Sequence, residues 1–331
     1  MDQIGLTRRL VPAMQGLFRS RRIALAMIPL MMGLLPTPGG IMLSAPMVRE
    51  AGDRMGIERS RLAAINFLFR HQWEPVWPLF PSIPLIQSML GVSALTVFCY
   101  HIILSGSSIL IGIVVLLMFG IPPRRPEHEP VKRHVGHHLM DFLHASWPIV
   151  FTAGLYVVLD VPPAVGILLA ILGLLLLHRV PWKRWPAVFK AAREPDLVLL
   201  IFGALFFKLN LEAGGAIGSV VEFLISVRVP PPLLAFLLPM LVGFATGVTM
   251  PTVAMTYPFL IAFIGTGAEA KMGLETLAFS GLLFALWLSP VHLCITMSAS
   301  YFETPLLKII SKLILPALGV AAAGALMAAF L

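Results

Sequence analysis

The sequence predicts an all-α polytopic membrane protein built as two inverted repeats, each holding a re-entrant hairpin and a broken helix. Composition is the first reason. Of 331 residues, 58% are hydrophobic and only 12% charged, with a mean hydropathy of +0.90. Soluble domains carry about 25% charged residues, so a free-standing soluble globule is excluded, and the apolar excess excludes disorder. Charge placement is the second reason. The net charge of +8 comes from basic residues that sit between apolar stretches, a membrane pattern rather than a nucleic-acid surface. The third reason is that five apolar stretches are interrupted by Gly, Pro, Ser and Thr. Interrupted backbone at membrane depth must face protein, water or a ligand, because hydrocarbon satisfies none of its polar groups.

The elements follow in order. Residues 1–22 hold no apolar core with a small-residue cleavage site, so no secretory signal is expected. Leu10, Met14, Leu17 and Phe18 fall at helical spacing and predict a surface amphipathic helix. The stretch 23–48 breaks at Pro36-Thr37-Pro38-Gly39-Gly40. Arg8, Arg9, Arg19, Arg21 and Arg22 precede it, and Arg49, Arg54, Arg59 and Arg61 follow it. Both flanks are therefore expected in the cytoplasm, which makes the stretch a hairpin rather than a span. The stretch 62–90, broken around Pro75, Pro78, Pro81 and Pro84, crosses outward, and 91–119 returns as a plain span. A basic linker, 121–138, is expected in the cytoplasm. Spans 139–160 and 163–178 lead out and back to a second cytoplasmic loop, 179–195, where Trp182-Lys183-Arg184-Trp185 reads as an interfacial anchor. The stretch 196–227 breaks around 208–215 and crosses outward. The stretch 230–265 breaks at 246–252 and forms a second hairpin, entering from outside. The stretch 273–301 breaks at Ser289-Pro290-Val291-His292, and 304–331 is the last span. In this topology 20 of the 24 Lys and Arg lie inside, Arg228 and Lys271 lie outside, and Arg70 and Lys208 lie within segments.

A weak internal repeat agrees with the charges. Pro29 and Gly33 match Pro239 and Gly243 at an offset of 210, and Pro46 and Pro78 match Pro258 and Pro290 at an offset of 212. Each copy runs hairpin, broken helix, plain span, and the copies enter from opposite sides. The expected division is an N-terminal repeat over 1–120, the linker 121–138 and a C-terminal repeat over 139–331. The first repeat lacks the leading spans of the second.

Inverted repeats with discontinuous helices point to a secondary transporter, with its site at the breaks. Thr37, Gly39, Gly40 and Ser44 form one hairpin tip, and Thr246, Gly247, Thr249 and Thr252 form the other. Hydroxyls and freed carbonyls suit a cation, and helix N-termini suit an anion. Ser289 and His292 mark the last break, and Asn210 marks the break in 196–227. Arg70 and Glu74, four apart, are expected on one helix face. They read either as an internal ion pair, or as Arg70 attracting an anionic solute while His71 or Glu74 accepts a coupling proton. Lys208 reads as snorkelling or paired with Glu212.

His128, His134, His137, His138 and His144 lie largely in a charged loop without accompanying cysteines and do not point to a metal. Cys99 and Cys294 lie in apolar runs and read as small core residues. No phosphate loop or nucleophile–base pair is visible, so neither an enzyme nor a cofactor is expected. The expected function is ion-coupled transport of a small anionic solute across the cell membrane, with sodium or a proton as coupling ion. A non-transporting scaffold, or a subunit of a multi-component transporter, is the alternative.

Leu35-Pro36-Thr37-Pro38-Gly39-Gly40, Ser44-Ala45-Pro46-Met47-Val48, Phe69-Arg70-His71-Gln72-Trp73-Glu74 and Trp77-Pro78-Leu79-Phe80-Pro81 resemble the prokaryotic membrane family catalogued as domain of unknown function 401. The resemblance covers essentially the whole chain. That family is similar to the ion-transporter superfamily of citrate, gluconate, dicarboxylate and arsenite carriers. The resemblance implies an elevator-type carrier with two opposed hairpins, coupled to sodium or protons, and a homodimer. It names no solute.

Overall fold

The computed structural model describes residues 21–34, 40–53, 55–119, 135–159, 161–182 and 213–330, with scattered positions between 185 and 210. The expected amphipathic helix before residue 21, Thr37, Gly39, Lys208, Glu212 and positions 121–134 of the expected linker 121–138 lie outside the described residues, while 135–138 already belong to a helix. All regular structure among the described residues is helical.

In the first half, α1 (Arg21–Met32) and α2 (Ile41–Asp53) flank the first predicted break. Next come α3 (Arg59–Arg70), a tight turn at His71–Trp73, an irregular stretch, and α4 (Ser82–Leu90). Gly91, at φ 65°, ends α4 in the left-handed region that glycine tolerates best. The Ser93 hydroxyl then caps α5 (Ala94–Gly112) by accepting from the Thr96 amide at 3.0 Å. This helix continues as a wider turn over Ile113–Met118, closed by Phe119 N–H donating five residues back to Val114 O. The Val115 carbonyl freed there accepts from the Arg61 guanidinium at 2.9 Å.

The remaining helices are α6 (Val135–Leu159), α7 (Pro163–Leu177), α8 (Ala216–Ser226), α9 (Pro231–Thr246), α10 (Thr249–Ile264), α11 (Met272–Leu288), α12 (Leu293–Tyr301) and α13 (Leu306–Phe330). Proline at the first turn of α7 and of α9 is preset for a helix start, where no amide partner is needed. Among the described residues, three helical stretches are long and apolar enough to cross a membrane: Ala94–Met118, Met272–Tyr301 and Leu306–Phe330. Large apolar side chains such as Leu110, Met118, Leu177, Leu307 and Phe330 stay exposed, which suits lipid better than water.

The most extensive packing joins α11 to α13 and α9 to α11, while α5 lies against α13. Small residues make these approaches close. Gly281 sits against the Phe236 backbone, Gly324 against Ser280, and Gly319 against Ile111. Leu62, Phe67, Phe69, Phe279, Leu282, Trp287 and Leu313 fill the common core. The two cysteines do not both join it: Cys294 is half-buried, but Cys99 is exposed on the outer face of α5, where an apolar run serves lipid rather than core.

Charged residues gather at one end of the bundle. Arg59 pairs with Glu303, and Lys312 reaches Glu58 at 3.0 Å. The Ser60 hydroxyl first, and Lys312 next, hold the Glu58 carboxyl below its ordinary range. At the opposite end Gly91 lies beside Gly267, so the turns after α4 and before α11 are neighbours.

Gly281→Ala is expected to lose about 1–3 kcal/mol, because its methyl would strike backbone that cannot rotate away. Gly106→Ala, with open space around it, is expected to hold or raise stability. Unfolding midpoints in detergent check both; equal loss at the two positions would contradict the close α9–α11 approach.

Candidate functional site

The breaks converge. At the end of α3 the helix tightens, and Arg70, His71 and Gln72 are all buried. His71 Nδ1–H donates to Phe67 O at 2.7 Å, which fixes the ring. In the second half, the break between α11 and α12 brings His292 under the turn between α9 and α10. There His292 Nδ1–H donates to Gly247 O at 2.7 Å. Gly247 has a φ of 66° and closes on the His292 backbone, so a side chain there would be both strained and crowded. The two imidazoles then meet with Nε2 atoms 3.3 Å apart. The Phe67 ring covers both, tilted against His71 at 4.2 Å and edge-on to His292 at 5.3 Å. Cys294 lies beside them: its sulfur and the ligand nitrogens of both histidines fall within 4.8 Å of one another.

Side chains at the breaks also satisfy the interrupted backbone. Trp73 Nε1–H donates to Leu30 O at 2.7 Å, and Ser289 Oγ–H donates to Phe244 O at 2.7 Å. Thr252 donates to Val248 O at 2.8 Å, and its hydroxyl lies 3.0 Å from that of Thr246. Thr249 is buried at the start of α10. Thr246, Gly247, Thr249, Thr252, Ser289 and His292 therefore lie around the α9–α10 turn and the break beside it.

Other predicted positions behave differently. Gly40 is buried at the start of α2, and Ser44 is committed to Asn66 Oδ1 at 2.6 Å, tying α2 to α3. Asn210 is exposed and donates to Phe206 O in its own segment at 2.7 Å. Arg70 and Glu74 do not share a continuous α-helical face. The α-helix ends at Arg70 and a tight turn at His71–Trp73 leads to Glu74, yet the two charges remain close enough to act on one another. Glu74 is buried, with Oε2 lacking a hydrogen-bond partner among the described residues. Trp182 and Trp185 stack at 4.7 Å.

The model of the family described as "Protein of unknown function (DUF401)" matches residues 1–330. The chain belongs to that family. No curated protein matches it. The DUF401 segment Phe69–Glu74 thus supplies both His71 and the buried Glu74.

A second buried polar cluster in this DUF401 chain escapes sequence reasoning. His101 on α5 donates Nδ1–H to Pro75 O at 2.7 Å, and its Nε2 lies 2.7 Å from Glu275 Oε2 on α11. The Tyr257 hydroxyl on α10 donates to Glu275 Oε1 at 2.8 Å. His101, Glu275 and Tyr257 are each 0% exposed, so this proton-sharing triad is cut off from solvent. A cleft of about 470 Å³ among Ser88, Met89, Gly215, Ile217, Gly218, Pro258 and Ile261 lies between α4, α8 and α10, apart from both clusters.

His101→Ala is expected to cost about 3–5 kcal/mol, because it strands a buried carboxyl group. His101→Leu with Glu275→Leu should recover part of that loss. A double-mutant cycle on chemical unfolding checks this; strictly additive losses would show that the two residues do not couple.

Proposed function

We propose that this DUF401 protein is an ion-coupled secondary transporter of a small, anionic solute, with its site where the two broken segments meet. The observation that carries this reading is the contact between His71 and His292, residues of two separate helix breaks lying 221 positions apart. The two broken helices run in opposite directions. The α3 helix starts at the end that holds Glu303 and Lys312, where α12 finishes. The α11 helix starts at the end that holds Gly91, where α4 finishes. Opposed broken helices meeting inside the bundle are the arrangement of inverted-repeat carriers.

The repeat gains support from a matched pair of contacts. A Cβ at Gly33 would meet the Arg70 carbonyl, and one at Gly243 would lie 3.5 Å from the Leu282 carbonyl. Positions 33 and 243 correspond at the offset of 210, and positions 70 and 282 at 212. The hairpins gain support as well. Ile41 O meets Asn66, and Gly52 meets Leu62, so α2 runs back along α3. The Thr246 and Thr252 hydroxyls are bonded although six residues separate them, so the chain turns back at Gly247-Val248. In this reading α1–α2 and α9–α10 dip into the membrane from opposite faces, with the loops 121–138 and 179–195 in the cytoplasm. Arg70 attracts the anion, the hydroxyls and carbonyls of the α9–α10 turn hold it, and Glu74 takes part in ion coupling. The same layout accommodates a homodimer.

The test is thermal stabilisation of the purified protein by a panel of small carboxylates and inorganic oxyanions, with and without sodium and across pH. A solute at about 100 times its Kd should stabilise by about 2.7 kcal/mol. Arg70→Ala and Thr249→Ala should abolish that shift. If no anion stabilises the protein under any condition, the carrier gives way to a non-transporting scaffold or transporter subunit. The hairpin is tested separately: cysteines introduced at positions 22 and 49 should label from the same face of the membrane, and labelling from opposite faces would overturn it.

A further inference from the structure

We propose that His71, His292 and Cys294 form a binding site for a divalent transition-metal ion of the zinc class. Counting protons shows that the pair of rings needs a cation. Three close contacts involve their nitrogens: His71 Nδ1 to Phe67 O, His292 Nδ1 to Gly247 O, and the Nε2 atoms to each other. A carbonyl only accepts, so each Nδ1 carries hydrogen. Two neutral imidazoles hold two such hydrogens in all. Both Nε2 atoms are then bare and point lone pairs at each other across 3.3 Å. Changing the tautomer of either ring only moves the clash to a carbonyl. Something positive belongs between the two nitrogens.

The geometry favours a metal ion there. Metal–nitrogen bonds of about 2.0–2.1 Å at a tetrahedral angle set two nitrogens about 3.3–3.4 Å apart, and the rings already hold that spacing. Metal-binding imidazoles characteristically donate the other ring N–H to a carbonyl or carboxylate, which fixes the tautomer and aims the lone pair. Both rings do this. Cys294 adds the soft ligand: its sulfur lies within 4.8 Å of both nitrogens, near enough to close on the ion by side-chain rotation. Two imidazoles and one thiolate form a zinc-type donor set with a fourth position open to an exogenous ligand. All three ligands come from helix breaks or the first turn after one, and they join the two halves of the chain.

Tag-free full-length protein in detergent, titrated with Co²⁺ alone, tests this. The expected result is one equivalent of bound cobalt with tetrahedral visible bands and a thiolate-to-cobalt charge-transfer band, displaced by Zn²⁺. Cys294→Ser should remove the charge-transfer band. His71→Ala and His292→Ala should weaken binding by more than the roughly 10–100-fold that follows loss of a mere orienting partner. Unfolding midpoints and elution profiles establish that each variant is folded, and Cys294→Ser decides the matter should a histidine variant fail to fold. Absence of cobalt binding overturns the proposal. So does binding that survives Cys294→Ser and His292→Ala unchanged, which would assign the metal to the histidines of 128–144. No solute is present in this measurement, so its outcome is independent of the carrier reading.

Discussion

Interrupted helices turn backbone carbonyls toward groups that hydrocarbon cannot replace, and much of the described structure is organised around meeting that demand. Among the described residues, side chains stitch several of these places. Trp73 reaches Leu30 O, Ser289 reaches Phe244 O, His292 reaches Gly247 O, and His101 reaches Pro75 O. The Ser105 hydroxyl closes the series on Gln72 O at 2.7 Å. These bonds decide which helices neighbour one another. They also place two imidazoles edge to edge, Nε2 toward Nε2, at the point where the halves of the chain meet.

The positions of the breaks were legible in the sequence, because Gly and Pro mark them whatever they pack against. Helix limits at 70, 246 and 288 fall within or beside the predicted interruptions. Glu58, Arg59, Glu303 and Lys312 share one end of the bundle through two ion pairs that the sequence spacing does not announce. What fills the breaks was legible only in part. His292 and His71 stood out as titratable residues near interruptions, but nothing in their spacing announced a direct contact.

The triad of His101, Glu275 and Tyr257 left no signal at all. Its members lie in apolar runs, and His101 and Glu275 are 174 residues apart, so no helical period links them. The partner of Ser44 was hidden for a similar reason: Asn66, which accepts from its hydroxyl, lies on another helix. Counting by fours brought Arg70 and Glu74 together but did not foresee the tighter turn at His71–Trp73 between them. Cys99 shows the opposite error. Apolar neighbours mark a core in water but an outer surface in lipid.

The triad has a mechanical consequence. It clamps α5 of the first half to α10 and α11 of the second through groups that hydrocarbon will not solvate. Shearing the halves past each other would break those hydrogen bonds, so the triad resists that motion. The α6–α7 pair leans chiefly on itself, and the Tyr156 hydroxyl reaches across to Gln87 on α4. Among the described residues the triad makes no hydrogen bond to α6 or α7, so the clamp does not extend to that pair.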